Sequence, residues 1–420
     1  MAVRRPDVRR GGPRGRRRAA GLVLAALLTA SACTAAPEET RTSLTAGEIT
    51  AVLDGRATAV LARDPAGYLD ALAPDAEKLR AVQRTELANL ADVPLKSWTY
   101  EVKDIGERDG DWATAEVELR YRIKGYDTAP VATRRTLELM RDGGRWYITA
   151  DRPAKGSSGQ LWQQGDVEVV EGAHSIVLGV GRTEEELRRI ADTVDLAVPA
   201  VSDAWPRPWN RRVVVLVPDS VEDMARLLGS PEASYRGIAA VTTGEVGGGT
   251  GKRPAIADRV IVNPQAYATL GSFGQRIVLT HETTHVATRT STSTATPVWL
   301  SEGFADWAAY RGEDRPADVV APELTTAVRA GETPAGLPAD RDFGFDGDPV
   351  KLARAYEGGW LACALIAEKW GKEKLIAFYA AVGAHQGREG AVEQAMDAVL
   401  GTTPEEFTAD WRDYLGTRLG

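Results

Sequence analysis

The sequence predicts an α+β protein of two domains, the first combining helices with a curved sheet, the second combining a mixed sheet with a mainly helical region. The chain has 420 residues, which is more than a single hydrophobic core usually serves, so two cores are expected. Helical spacing of apolar residues, followed by strict alternation, fills the first third of the chain. Short apolar strands and then long helical patterns fill the rest.

The first domain is expected over residues 47–150. It opens with a helical pattern at residues 47–73, which repeats apolar positions such as Ile49 and Leu53. Alternation then predicts four strands, with an Asp-Gly-Gly turn before the last: 98–102, 112–123, 135–140 and 145–148. Helices followed by such a sheet resemble the SnoaL-like, cystatin-type cone fold. The resemblance implies a spacer or recognition module, with a ligand pocket in the cone as the alternative.

The second domain is expected over residues 166–420, after a linker at 151–165 that is rich in Gly, Ser, Lys and Gln. Apolar runs predict strands at 174–178, 212–217 and 260–263. Thr183 and Glu186 form a capping box that opens a helix after the first of these strands. Helical spacing predicts five later segments: 318–329, 349–370, 372–382, 390–399 and 404–416.

The most informative feature is the run His281-Glu282-Thr283-Thr284-His285. Two histidines four residues apart on a helix are turned only about 40° from each other, so both imidazoles lie on one face. Ser272 with Gln275 predicts a capping box at the start of this helix. A second helix is predicted to follow, with Thr296 as its cap and Pro297 as its first residue.

Glu302 lies on this second helix, after sixteen residues that separate it from His285. Two imidazoles and a carboxylate can be the three protein ligands of a catalytic zinc site, which keeps a fourth position for water. Glu282 lies beside that position and is expected to act as the general base. The sequence therefore predicts one zinc ion per chain, bound by His281, His285 and Glu302.

This pattern resembles the gluzincin metallopeptidases, in particular their bacterial peptidase-MA-like branch. The resemblance covers roughly residues 170–420 and implies a thermolysin-like sheet followed by a helical subdomain. It also implies that Asp306, four residues after Glu302, orients a zinc-bound histidine, with His281 as its partner. The segment Tyr356-Glu357-Gly358-Gly359 resembles the Tyr-Glu-Lys-Gly segment of the aminopeptidase branch, which implies that the Tyr356 hydroxyl stabilises an oxyanion.

Two features distinguish the chain from that aminopeptidase branch. Ser301 stands where the branch has Asn before the third ligand. The stretch before the zinc helix, residues 237–244, has no carboxylate that could hold the amino terminus of a substrate. We therefore expect cleavage within chains, with substrate adding as a strand along Ala239, Ala240 and Val241. An aminopeptidase is the alternative.

The amino terminus indicates export from the cytoplasm. Residues 1–18 contain eight Arg, and a short apolar run and small residues follow. The Ala-Ser-Ala-Cys sequence resembles a bacterial lipobox, which implies removal of residues 1–32 as a signal peptide and lipidation of Cys33. Simple secretion is the alternative. Residues 33–46 are typical of a flexible tether, so the expected location is extracytoplasmic, on the cell membrane through a lipid anchor.

Removal of the signal peptide changes the charge balance. The remaining chain has 43 basic and 58 acidic residues, a formal net charge of −15. Such a charge argues against binding nucleic acid or anionic lipid through bulk electrostatics. With Cys33 lipidated, Cys363 is the only thiol, and its apolar neighbours predict a buried position.

These features together predict a zinc metallopeptidase that acts on peptide or protein substrates outside the cytoplasm. Glu282 and Tyr356 are its expected catalytic residues. The alternative from another class is a non-catalytic envelope binding protein that keeps a structural zinc. The sequence carries no signal for an oligomeric state.

Overall fold

The computed structural model describes residues 46–243, 257–345 and 347–420. The predicted signal peptide, the lipidation site Cys33 and the tether up to residue 45 lie outside the described residues. The α+β class is confirmed, because the described residues form two sheets and many helices. No helix in this part of the chain is both long and apolar enough to cross a membrane.

The strands are β1 (Leu95–Asp109), β2 (Trp112–Ile123), β3 (Val131–Asp142), β4 (Arg145–Pro153), β5 (Val167–Glu171), β6 (Ser175–Val180), β7 (Val213–Val217), β8 (Ala240–Thr242) and β9 (Val260–Val262). The helices are α1 (Ala46–Ala62), α2 (Pro65–Asp70), α3 (Glu77–Asn89), α4 (Glu184–Ala204), α5 (Val221–Leu228), α6 (Pro264–Thr269), α7 (Ser272–Thr288), α8 (Val298–Tyr310), α9 (Ala317–Val320), α10 (Pro322–Arg329), α11 (Pro349–Trp370), α12 (Lys372–Ala384), α13 (Ala391–Ala395) and α14 (Pro404–Leu419).

The first sheet is antiparallel, in the order β1-β2-β3-β4. Every second residue of β2 is buried, as expected for a strand with one face on a core. The helical pattern of residues 47–73 is divided into α1 and α2, because Arg63 has a φ of 54° and Pro65 starts a new helix. Asp64 caps that helix by accepting a hydrogen bond from the Ala66 N–H. The helix α3 is absent from the sequence-based expectations.

The segment 151–165, expected as a linker, contains packed residues. β4 runs on to Pro153, and Leu161–Gln163 form a short 3-10 helix. The buried ring of Trp162 lies with its centroid 5.1 Å from that of Tyr121 in the first sheet. This aromatic contact holds the segment against the sheet, while the domain boundaries themselves stay a prediction.

The second sheet has five strands in the order β5-β6-β7-β9-β8. β6, β7 and β9 are parallel, and the antiparallel strands β5 and β8 lie at its two edges. β6 and β7 are buried along their whole length, as expected for parallel strands covered on both faces. One face shares a hydrophobic core with the first sheet. The other face packs against α4 and α7, which fixes α7 on the sheet.

The remaining helices surround a third hydrophobic core, which includes Cys363. α11 has the predicted bounds, Pro349–Trp370. The predicted helix at 318–329 is divided into α9 and α10, because Ala321 precedes a proline and has non-helical backbone angles.

Both caps predicted around the zinc motif are wrong. α7 starts at Ser272 with Gly271 at the N-cap and no side-chain cap, and the Gln275 amide donates to the Tyr267 carbonyl instead, at 3.3 Å. α8 starts at Val298, with Pro297 at the N-cap. The hydroxyl of Thr296 accepts a hydrogen bond from the Ser293 N–H at 3.2 Å, which stabilises the preceding turn.

A buried ion pair joins the two sheets. Arg259, immediately before β9, donates two hydrogen bonds of 2.7 Å to the carboxylate of Asp127, which follows β2. The two side chains are 4% and 2% exposed. Asp127 also accepts the Ile123 N–H at 2.6 Å, so its charge is compensated by two partners.

Candidate metal centre and cleft

The histidines of the zinc motif face each other on α7. His281 is half-buried and His285 is buried. Their Nε2 atoms lie 2.9 Å apart, and their rings are 4.7 Å apart, nearly perpendicular to one another. Both residues therefore present the same nitrogen to one point, as the four-residue spacing predicts.

Glu302 brings a carboxylate from α8 to this point. Its Oε2 lies 3.2 Å from Nε2 of His281 and 3.6 Å from Nε2 of His285. Ligands at about 2.1 Å from a tetrahedral zinc ion lie about 3.4 Å from each other. The separations of 2.9, 3.2 and 3.6 Å bracket this value. His281, His285 and Glu302 therefore form a group that could hold a metal ion.

Asp306 lies one helical turn after Glu302, and its Oδ1 is 2.7 Å from Nδ1 of His281. A carboxylate on Nδ1 fixes the ring orientation and leaves Nε2 for a metal. Burial lowers the pKa of His281, but the Asp306 and Glu302 carboxylates outweigh it and hold this pKa well above its usual value. The predicted pairing of Asp306 with His281 is thus present in the structure.

The Glu302 carboxyl is stabilised in its charged form. Burial acts to raise its pKa, yet His285 and His281 lower it well below the ordinary value. An ionised oxygen held between two imidazole nitrogens suits a cation.

Glu282 is buried and follows the first histidine directly. Its Oε2 lies 2.6 Å from the hydroxyl of Thr242, the last residue of β8. Thr242 is fully buried and also lies 3.1 Å from the main-chain carbonyl of Glu282. The motif thus contacts the edge of the second sheet through its central glutamate.

A cleft of about 680 Å³ opens beside the cluster. The predicted substrate strand lines it through Ala239, Ala240 and Val241, and β8 is an edge strand of the second sheet. His281, Glu282 and Glu302 also line this cleft, and the other lining residues are mainly apolar. The structure therefore brings the predicted strand and the predicted metal site to one cavity.

Tyr356 lines this cleft from α11. Its ring centroid is 6.5 Å from that of His281 and 5.2 Å from that of Phe343, which meets it edge-on. The ring is half-buried, so packing against Phe343 can fix its orientation while part of it faces the cavity. This position is compatible with the oxyanion role that the resemblance implies.

Glu357, the next residue, is a buried carboxyl in the same cleft. It accepts hydrogen bonds from the N–H groups of Leu324, at 2.6 Å, and Glu323, at 3.3 Å, in the first turn of α10. Burial, together with the neighbouring Glu323 carboxylate, raises the pKa of Glu357 to about 8. It therefore ties α10 to α11 at the wall of the site.

α8 and α11 approach each other without intervening side chains. A Cβ atom at Gly303 would overlap the carbonyl group of Gly359, and a Cβ at Gly359 would lie 2.8 Å from the Trp299 carbonyl. Gly303 directly follows Glu302, and Gly359 lies three residues after Tyr356. Their close contact sets how near the two helices lie at this level.

Sequence reasoning missed Thr242, Phe343 and the environment of Glu357. Thr242 could have been noticed as a polar residue at the end of an apolar strand, but its partner is forty residues away. The other two histidines lie elsewhere: His174 precedes β6, and Nδ1 of His385 lies 2.7 Å from the Gly387 carbonyl. No second group of possible metal ligands occurs among the described residues.

The chain matches no protein-family model and no curated protein. Among solved structures it is similar to a protein of unknown function from Mycobacterium tuberculosis, with 17% identity over 27% of this chain and 72% of that one (TM-score 0.22). It is also similar to an NTF-2-like protein of unknown function from Shewanella oneidensis MR-1, with 14% identity over 25% of this chain and 94% of that one (TM-score 0.20).

A third similarity spans more of the chain. It is to native yeast LTA4 hydrolase, with 13% identity and a TM-score of 0.37. The match covers 67% of this chain and 44% of the yeast protein, so the chain spans less than half of that hydrolase. All three similarities are distant.

Proposed function

We propose that this chain is a zinc-dependent peptidase that cleaves internal peptide bonds. The observation that carries the proposal is the convergence of two imidazole nitrogens and one carboxylate oxygen, all within 4.8 Å of one another, beside a buried glutamate and an open cleft. Nitrogen and oxygen donors at this spacing suit Zn²⁺ in a site that keeps one position for water. When bound, Zn²⁺ would polarise a substrate carbonyl and lower the pKa of a water molecule.

The side chains divide the remaining tasks. The carboxylate of Glu282 takes a proton from the attacking water and passes it to the leaving amine. Asp306 keeps Nδ1 of His281 hydrogen-bonded, so that Nε2 stays directed at the metal position. The hydroxyl of Tyr356 donates to the oxyanion as the tetrahedral centre forms.

Substrate binding is assigned to β8. Its outer edge has no neighbouring strand among the described residues, so an extended peptide can add there through main-chain hydrogen bonds. Side chains of the peptide would then enter a cleft whose lining is mainly apolar. No carboxylate among residues 237–243 faces the amino terminus of such a peptide, which supports internal cleavage.

Peptide hydrolysis by the purified, zinc-loaded protein tests the proposal. Wild type is expected to cleave a casein or mixed-peptide substrate, and Glu282→Gln is expected to bind zinc but lose at least about 10²-fold in rate. Glu313→Gln is the matched control, because this acid pairs with Arg276 of α7 and lies outside the cleft lining. A wild type that binds zinc and cleaves nothing would favour the envelope binding protein instead.

We also propose that the enzyme is an extracytoplasmic lipoprotein attached through Cys33. Stable attachment needs more than one acyl chain, which lipoprotein diacylation supplies. Wild type should then partition into membranes, and Cys33→Ser should appear in the soluble fraction. Equal solubility of the two proteins would favour simple secretion.

A further inference from the structure

The first sheet is connected to the cleft through the end of β8. Asp127 binds Arg259 through two hydrogen bonds of 2.7 Å. The main-chain N–H of Arg259 donates to the Thr243 hydroxyl at 2.8 Å, and the Thr243 N–H donates back to the Arg259 carbonyl at 2.8 Å. Thr243 directly follows β8, so these hydrogen bonds connect the ion pair between the two sheets to the predicted substrate strand.

The helix α7, which carries His281 and His285, also contacts Thr243. Arg289, at the C-terminal end of α7, donates to the Thr243 carbonyl at 2.8 Å. The same guanidinium pairs with Asp258 at 2.9 Å. Thr243 is therefore fixed between α7 and the residues that precede β9.

Thr242 completes the connection to the proposed general base. Its hydroxyl lies 2.6 Å from Oε2 of Glu282 and 3.1 Å from the main-chain carbonyl of the same residue. A hydroxyl offers one proton and two lone pairs. Its proton can go to Oε2 or to the main-chain carbonyl, so both contacts hold the Glu282 side chain against the end of β8.

We propose that Thr242 is a positioning residue for Glu282, and that Asp127, through Arg259, holds β8 in the place that this requires. The first domain is then part of the catalytic arrangement. This inference rests on the proposed peptidase function.

The dimensions of β8 explain why it needs such support. The strand has three residues and pairs with one neighbour, β9, through three register positions. So short an edge strand contributes little stability of its own. A displacement of about 1 Å in a catalytic group can cost about 10²-fold in rate, so small shifts of Thr242 would be measurable.

Removal of the hydroxyl tests the first step. Thr242→Val keeps the shape and should lower kcat by about 10- to 10²-fold, with KM changed less than about twofold. Thr242→Ser keeps the hydroxyl and should restore most of kcat. Thr325→Val is the matched control, because Thr325 is also buried but its hydroxyl has no hydrogen-bond partner in the described structure. Zinc content should stay at wild-type level in all three variants.

Replacement of the ion pair tests the second step. Asp127→Leu combined with Arg259→Met removes both charges together, so neither is left buried and unpaired. Amide hydrogen exchange over residues 239–243 should become faster, which is a readout independent of catalysis. The combined variant should also lose kcat, and adding Thr242→Val should lower it little further, because both changes act through one contact. If the combined variant does not fold, Arg259→Lys takes its place in this test, because Lys keeps the charge but loses the paired donors.

The outcomes separate the two proposals. A Thr242→Val protein with wild-type kcat and full zinc would overturn the positioning role while leaving the peptidase intact. Unchanged exchange at residues 239–243 in the ion-pair variants would overturn the link to the first domain. A wild type without peptidase activity would overturn the proposed function, and the exchange measurement would still decide whether Asp127 holds β8.

Discussion

Oδ1 of Asp306 lies 2.7 Å from Nδ1 of His281, across the contact between α8 and α7. Asp306 is on the same helix as Glu302, one turn further on, so α8 carries both the carboxylate of the candidate metal group and the hydrogen-bond partner of one of its histidines. The orientation of His281 therefore depends on the helix that carries Glu302. A change that moves α8 would alter two of the three donor atoms at once.

Metal binding should respond to these residues in a graded way. His285→Ala removes a ligand and should abolish both bound zinc and activity. Asp306→Ala leaves all three ligands and should weaken zinc affinity by about 10- to 100-fold. Metal analysis after dialysis, with affinity measured by competition against a chelator, checks both. Full zinc in the His285→Ala protein would contradict the assigned ligand set.

Tyr356 should act in the transition state more than in substrate binding. Its hydroxyl meets negative charge only as the oxyanion forms, so Tyr356→Phe should lower kcat by about 10²- to 10³-fold and change KM little. Packing of the ring against Phe343 is kept in this variant, so zinc content and Tm should be close to wild type. A Tyr356→Phe protein with wild-type kcat would make Tyr356 a packing residue.

Cleavage should be insensitive to the free amino terminus of a substrate. The described part of the predicted substrate strand, residues 237–243, has no carboxylate, so no side-chain charge there can pair with the amine of a substrate. Acetylation of a good peptide substrate should then change its rate less than about twofold. The comparison uses the same peptide with and without the acetyl group, and a large loss on acetylation would indicate an aminopeptidase.

Glu357 should make stability depend on pH. Burial and the nearby Glu323 carboxylate raise its pKa to about 8 in the folded chain, from an ordinary value of 4.5. The folded state thus favours the protonated form, so this contribution is complete below about pH 4.5 and is lost as pH rises through 8. Glu357→Gln should therefore gain Tm relative to wild type at pH 9 and much less at pH 5.

Thermal unfolding at the two pH values measures this difference. Glu393→Gln, at an exposed position in the first turn of α13, is the control and should shift Tm equally at both. If the Tm difference between Glu357→Gln and wild type is the same at pH 5 and pH 9, the raised pKa of Glu357 is contradicted.

Sequence patterns predicted the periodic elements well and the local contacts poorly. β2 and α11 have the predicted bounds, because long alternation and long helical spacing leave few alternatives. The capping box at Ser272 was wrong because the Gln275 amide finds the Tyr267 carbonyl of the preceding helix, a partner that only the tertiary arrangement supplies. By contrast, the start of α2 at Asp64-Pro65 is a local signal, since a cap residue followed by proline marks a helix start in the sequence itself.

The candidate site likewise combines residues that spacing predicts with residues that it does not predict. The metal cluster is encoded within one helix turn and one following helix, so spacing alone could predict its members. Thr242, Asp127 and Arg259 lie 23 to 155 residues from Glu282 in the chain and are connected to it only through the order of the sheet. Arg56 of α1 and Asp151 of β4, which pair at 2.9 Å, are also far apart in the chain. Long-range polar pairs leave no periodic signal in a sequence.

The backbone contact between Gly303 and Gly359 has a consequence for the wall of the candidate site. Helices separated by side chains can shift as rotamers change, but here a main-chain atom of one helix touches the other directly. The backbones that carry Glu302 and Tyr356 are thus held close together by folding itself. The cost of bringing these two helix segments together is met before any ligand binds, so this wall of the cleft is preorganised at the level of the main chain.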